Sequence, residues 1–294
     1  MAVPGKLQAG AVVVDEAGQA GEAETLLAVR AARPGCCLLV GDPAQLPATV
    51  LSRTAGPQGL GRSLLERVAA GRGGCAMLQR QYRMHPEISR VPNRLFYEGR
   101  LQDAEACWGR SEESVQWMPN VDGALRAMAL VDVADGVEEP SGTSRRNERE
   151  AELAVRIAAH VWRSGQALEK DIGVITFYAA QAALLQQKLK AAGLAGVKAA
   201  TVDSFQGSEN RVIILSCVRA DGTGVGFLRD ARRLNVALTR AQATLVVLAN
   251  VAALMRGVRD SGHHGEHVSH MVEDLRARHL HVSSHDVWAQ LGMT

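Results

Sequence analysis

Aromatic residues make up only 4% of this 294-residue chain. A core without them must rest on Ala, Val and Leu, and these are plentiful. No apolar run reaches the roughly 18 residues that a membrane-spanning helix requires. The opening MAVPGKLQAG carries no hydrophobic signal core. Both absences argue against a membrane role or secretion and lead us to expect an intracellular protein, nuclear or cytoplasmic. The five cysteines, Cys36, Cys37, Cys75, Cys107 and Cys217, form no C-x-x-C pair. That speaks against a zinc ribbon or disulfide framework. It suits a reducing compartment, with most of the thiols buried as small hydrophobes. A net charge of +2 gives no strong field of either sign, although basic residues can still gather on one face.

What the sequence does have is alternation. Ala11–Val14, Cys37–Val40, Ile172–Thr176, Val212–Cys217 and Thr244–Leu248 are short apolar runs without polar interruption, as strands buried on both faces require. A weaker run at Ala127–Val131 joins them. Helical spacing marks Glu148–Arg163, with Leu153, Ile157 and Val161 four residues apart, and also Ala179–Leu189 and Arg232–Arg240. Strands and helices in turn predict doubly wound α/β sheets. Ser52–Gly74, rich in Gly and Arg around a short helix SLLERVAA, reads as a domain junction. Cys107–Arg126 and Asp132–Asn147 read as loops or surface insertions. Seven of the nine histidines lie between His263 and His285. Helical spacing places His263, His267 and His270 near one face, but with no cysteine nearby the segment reads as a solvated or loosely packed tail rather than a metal site.

Acids cluster where strands end. Asp15 and Glu16 follow the first strand in VVVDEAGQA, and Asp42 follows the second in LLVGDPAQLPATV, with Gln45 three residues on. Ligands of parallel α/β sheets bind beyond the strands' carboxyl ends. One acid there can hold Mg²⁺ through water while its neighbour orients or deprotonates an attacking water, and Gln45 has the chemistry to position that water. Each pair has a plainer alternative as well, a solvated strand end or a Gly-Asp-Pro turn. QYRMHPEIS (residues 81–89) and RRLNVALTRA (residues 232–241) each carry an arginine among apolar neighbours. A planar cation against a transferred phosphoryl group can be worth roughly 10³–10⁵ in rate.

The motifs DEAGQ, GDPAQLPATV, QYRMHPEIS, TVDSFQGSENRVIILSCVRA and RRLNVALTRA stand in one order across residues 11 to about 250. In that order and spacing the chain resembles the superfamily 1B DNA and RNA helicases, the group of the nonsense-mediated-decay helicase, senataxin and the immunoglobulin Mu-binding helicase. The resemblance implies two RecA-like domains of the P-loop NTPase fold. ATP would lie between them and single-stranded RNA or DNA across both. It implies Asp15 for Mg²⁺, Glu16 as general base, Gln45 as γ-phosphate sensor, and Arg83 and Arg240 as arginine fingers. Glu209 would approach the ribose or phosphates, with Gly207 letting the backbone come close. Thr201, Asp203 and Gln206 would couple the ATP site to the nucleic-acid track. The expected division is 1–73 for the later part of an incomplete first RecA-like domain, 74–258 for a complete second one, and 259–294 for the His-rich tail.

Three departures qualify that picture. The family's phosphate-binding loop, G-x-x-x-x-G-K-[ST], is not found, since Gly5-Lys6 is followed by Leu7. Phe177 stands in VITFYAAQ where the family usually has proline, and Ser208 replaces a usual Arg or Lys. Arg90, Arg94 and Arg100 near Phe96 and Tyr97 are equally readable as nucleic-acid contacts or as surface charge beside core aromatics. The leading reading is an ATP-dependent helicase motor. The second is a catalytically inactive remnant that binds nucleic acid or a protein partner. A metal-dependent nuclease using Asp15, Glu16 and Asp42 is a third, lacking further carboxylates for a two-metal cluster.

Overall fold

The computed structural model describes residues 9–31, 35–50, 52, 54–71, 75–111, 126–261 and 265–291. The chain forms two compact units, Met1–Leu78 and Gln79–Thr294.

The first unit contains β1 (Ala11–Val14), α1 (Glu22–Ala31), β2 (Cys36–Leu39) and α2 (Leu64–Ala69). β1 and β2 pair in parallel from Ala11 opposite Cys36 to Val14 opposite Leu39. Parallel neighbours need a crossover, and α1 supplies it. Ser63 caps α2 by accepting from the Glu66 amide, while Glu66 accepts from the Ser63 amide; this is a capping box. The strands were expected to be buried on both faces. They are not: Val13 is 65% exposed and Leu38 54%. The pair has no strand beyond it among the described residues, so part of its apolar surface has nothing to bury against. The same exposure corrects the expectation for cysteine. Cys36 and Cys37 on β2, and Cys75 beyond α2, are exposed, and only Cys107 and Cys217 are buried.

The second unit begins with β3 (Arg80–Gln81), α3 (Pro86–Phe96), β4 (Gln102–Asp103) and α4 (Glu105–Trp108). It continues with β5 (Met128–Asp132), β6 (Glu138–Ser141), β7 (Ser144–Asn147), α5 (Glu148–Arg163), β8 (Ile172–Thr176), α6 (Ala179–Ala191), β9 (Lys198–Thr201) and β10 (Asn210–Ser216). The last elements are α7 (Ala231–Leu238), β11 (Ala241–Ala249), α8 (Val251–Ser261), α9 (Glu266–Ala277), β12 (His281–Ser283) and α10 (Ser284–Gln290). Six strands form one sheet in the order β12-β5-β11-β10-β8-β9, and every pairing in it is parallel. Because side chains alternate across a sheet, Val212, Ile214, Val246 and Leu248 join the core with Leu153, Ile157 and Leu185 of α5 and α6. The alternate residues Ile213, Leu215, Leu245 and Val247, equally buried, point to the layer where α3 packs on β11 and α9 on β5. The missing aromatics leave their mark here: among the described residues, Phe205 is the only aromatic among the largest fully buried side chains.

One expectation is refined in this unit and one fails. Asp132–Asn147 is not only loop. It contains the antiparallel β6–β7 hairpin, which turns through Gly142 at φ +60°. The region beyond residue 258 is no loose tail. α9 buries Val268, Met271, Val272 and Leu275, and β12 adds an edge strand to β5, with His281 opposite Leu130. The spacing 268, 271, 272, 275 is an amphipathic-helix signal that the density of histidines obscured. His267 packs its ring 6.1 Å from that of Phe96, and burial pulls its imidazole below the usual pKa. His263 lies outside the described residues. Leu275→Ala should therefore lower the unfolding free energy in urea by about 2–5 kcal/mol. A loss under about 0.5 kcal/mol, the range of surface substitutions, would place α9 outside the core.

Candidate functional site

In the first unit the two acidic strand ends sit side by side. The ladder runs past the strands, with the Val40 amide donating to the Val14 carbonyl and the Ala17 amide to the Val40 carbonyl, both at 2.8 Å. Gly41 makes that approach feasible. A Cβ there would lie 2.8 Å from the Gly18 nitrogen and 2.9 Å from that of Ala17. Glu16 sits at φ +50°, a left-handed conformation uncommon outside glycine and a sign of functional strain. Its amide donates to Asp15 Oδ1 at 2.9 Å, and its Oε2 accepts from Gln19 Nε2 at 2.7 Å. Asp42 takes the Ala44 amide on Oδ1 and Gln45 Nε2 on Oδ2, each at 2.9 Å. Asp15 and Glu16 are exposed, and Asp42 and Gln45 half-buried. Asp15 thus keeps a carboxylate oxygen for a hard cation, while both oxygens of Asp42 are already engaged.

In the second unit the basic residues converge on Glu209. Gln81 shapes the loop that carries Arg83: its Oε1 accepts from the amides of Arg83 and Met84, and its Nε2 donates to Asp103. Arg83 Nε pairs with Glu209 Oε2, and Nη1 donates to the Thr239 carbonyl at 3.1 Å. Gln242 Nε2 donates to the other Glu209 oxygen at 2.8 Å. Partial burial opposes charge on Glu209, but the Gln242 bond and the nearby Arg83 and Arg240 outweigh it and hold the carboxyl below its ordinary range. Arg240 is 2% exposed. It donates to the Val236 carbonyl at 3.0 Å and the Ser208 carbonyl at 3.4 Å. Arg83, Glu209 and Arg240, 157 residues apart from first to last, are therefore brought into one cluster.

The segment between β9 and β10 links this cluster to the sheet edge. Thr201 Oγ1 bonds Ser204 Oγ at 2.8 Å, and Asp203 receives a two-pronged contact from Arg233 at 3.1 Å on each prong. Phe205–Ser208 is a tight turn: the Ser208 amide donates to the Phe205 carbonyl, Gln206 sits at φ −57°, ψ 145°, and Gly207 at φ +73°. Those angles define a type II turn, whose third position favours glycine. Nothing among the described residues lies within 4 Å of where a Gly207 Cβ would be, and the positive φ of the turn favours glycine here. Gln206 Nε2 is buried with no hydrogen-bond partner among the described residues. Beside Ser208, where the expected cation is missing, Lys198 brings its Nζ to 3.1 Å from the hydroxyl and lies over the Phe205 ring. Phe177 is buried. Around α3, Arg94 pairs with Asp274 and Arg100 with Glu98, and Tyr97 accepts from Asn235. Arg94 and Tyr97 are thus tied to neighbouring helices, whereas the Arg100–Glu98 pair is exposed and local.

One network was not read from the sequence. Glu150, fully buried on α5, accepts from Ser216 Oγ at 2.6 Å and from the Val218 amide at 2.9 Å. Asn147 Nδ2 donates to the Val218 carbonyl at 3.2 Å. Val218 is held at φ +71°, a genuine outlier for a β-branched residue. A buried acid seated among apolar helix positions carries no distinguishing sequence pattern, which is why it escaped notice.

Comparison with known proteins defines the class. Residues 60–252 match a family described as AAA domain, and residues 5–53 match another of the same description. Helicase sen1 of Schizosaccharomyces pombe is 38% identical over 252 residues, covering 83% of this chain and 15% of its own length. ATP-dependent helicase NAM7 of Saccharomyces cerevisiae is 40% identical over 256 residues, covering 83% of this chain and 26% of its own. Among solved structures, the PRRSV helicase covers 81% of this chain and 34% of its own at 16% identity, with a TM-score of 0.42. The chain belongs to the superfamily 1B helicases, and its doubly wound parallel sheet is the RecA-like architecture of that family. It spans about a quarter or less of the length of these two relatives. No helix among the described residues is long and apolar enough to cross a membrane.

Burial pushes the Glu150 carboxyl up to about 7. A carboxyl raised on folding contributes stability that is full below its unfolded pKa and is lost as pH climbs through the folded one. Stability should therefore fall by up to about 3 kcal/mol between roughly pH 4.5 and 7 from this group. Glu150→Gln should flatten that slope in urea unfolding measured across the window. An unchanged slope would mean that Glu150 is ionised throughout.

Proposed function

We propose that this chain carries the hydrolytic and charge-stabilising residues of an ATP-dependent helicase motor working on single-stranded RNA or DNA. The observation that supports this best is the convergence of Arg83 and Arg240 on Glu209. Two guanidinium groups in one place, one of them held between backbone carbonyls, suit the charge that develops on a transferred phosphoryl group.

The acid pair suits the other half of the chemistry. Glu16, fixed by its strained backbone and by Gln19, is placed to orient a water and take its proton. Gln45, tethered to Asp42, is placed to sense the terminal phosphate. The free oxygen of Asp15 fits Mg²⁺, which is typically bound by one or two carboxylates together with substrate phosphates. When bound, that ion would neutralise phosphate charge. Arg83 would exchange its Glu209 partner for phosphate oxygens, and Glu209 would keep Gln242 as its partner. The turn 205–208 connects this cluster to Thr201 and Asp203, the residues proposed to sense the strand.

The test is ATP hydrolysis with and without single-stranded nucleic acid. Glu16→Gln should cut turnover by about 10²–10⁴ while a fluorescent ATP analogue still binds, and wild-type turnover in that variant would refute the role. Arg83→Ala separates catalysis from folding. Its ion pair is half-buried, so stability should change by about 1 kcal/mol, while turnover should fall by about 10³ or more. A proportionate loss of both would make Arg83 structural.

A second reading is a module that binds nucleic acid without turnover. Its test supplies the phosphate-binding loop G-x-x-x-x-G-K-[ST] on a separate fragment. Strand binding with no hydrolysis, including after an upstream fragment bearing that loop is added, would establish this reading over the first.

A further inference from the structure

Phe227 is large, aromatic and 44% exposed, in a chain with very few aromatics to spend. It lies in the turn Gly226–Arg229, within the connection that follows β10. Its ring is supported from beneath. The Tyr178 ring, just past the end of β8, lies 5.1 Å away, tilted by 49°. Arg233 Cζ lies over one face of the Phe227 ring, 5.0 Å from its centroid, and is itself locked by its two-pronged contact with Asp203. The local backbone is built for this placement. Gly226 has φ +56°, and a Cβ there would run into the Tyr178 hydroxyl and lie 3.1 Å from Arg219 Cδ. Any side chain at 226 would lift Phe227 off Tyr178.

We propose that Phe227 is a stacking platform for a nucleobase of single-stranded nucleic acid, backed by Tyr178 and flanked by Arg233. The proposal rests on the nucleic-acid reading above and goes beyond it by naming the chemistry and the residue. Three observations favour a base over an apolar protein side chain. A stacking surface accepts any base, because every base has a π-face. The exposed Arg229 lies on the same turn, so a strand's phosphate would meet a cation where its base meets the ring. The platform also stands at the carboxyl ends of β8 and β10, the edge where parallel α/β sheets receive ligands. Asp203 ties it to the segment proposed to couple strand and ATP.

The test uses the whole chain and fluorescence anisotropy with labelled 15-mers of oligo(U), oligo(dT) and an abasic strand of the same length. Phe227→Leu keeps the apolar bulk and removes the ring. It should weaken binding of base-bearing strands about tenfold or more, with Phe227→Trp restoring it, while abasic binding stays as in wild type. A loss confined to oligo(U) or to oligo(dT) would assign the platform to that type of strand. Binding by Phe227→Leu within about twofold of wild type would overturn the proposal and leave the nucleic-acid reading intact. So would an equal loss on the abasic strand, which would mark a structural role. If the wild-type chain binds no strand, both readings fall.

Discussion

Parallel pairing throughout the six-stranded sheet is the constraint on which the rest of the second unit depends. It sends every carboxyl end to one edge, so that loops distant in sequence meet there. Asp132, Thr176, Thr201, Ser216 and Ser283 each close a strand of this sheet. Burying such strands on both faces requires a helical layer on each side. That requirement selects the uninterrupted Val, Ile and Leu runs and leaves few polar residues inside. The most deeply buried acid among them, Glu150, is held by hydrogen bonds. It ties the first turn of α5 to the end of β10 and pins Val218 in a conformation it would otherwise avoid.

The Arg83–Glu209 pair extends this economy to the candidate chemistry. Two arginines beside a lone carboxylate carry more positive than negative charge, and a polyphosphate is a natural counterion. Arg240 cannot leave its site without abandoning the backbone carbonyls that hold it, whereas Arg83 is exposed enough to change partner. The first unit shows a similar division. Asp42 and Gln45 lock each other, and Asp15 and Glu16 face solvent from a strained turn. In each unit a fixed group stands beside an available one, an arrangement that suits catalysis by pre-organised charge.

The sequence made the second unit's sheet legible because continuous apolar runs have few other uses. Ile172–Thr176 and Glu148–Arg163 match their elements to the residue. The motif residues were singled out by resemblance, and the geometry adds that Gly207 occupies a turn position that favours glycine and that Gln81 holds the amides of Arg83 and Met84. What stayed hidden was set by partners distant in sequence. The exposure of β1 and β2 depends on what packs against them, which their own composition does not encode. β12 is three residues long, too short for any periodicity, and the histidines around it distracted from the α9 pattern. Glu150 and Phe227 stand out only when burial is known, the one for being inside and the other for being outside.

Hydrogen–deuterium exchange with a non-hydrolysable ATP analogue and Mg²⁺ tests the central claim most directly, because it reports each segment separately. The account predicts slowed exchange at residues 15–19 and 42–45 in the first unit and at 205–210 and 239–242 in the second. Protection absent from these segments, or confined to others, would contradict the assignment of phosphoryl-transfer chemistry to these residues.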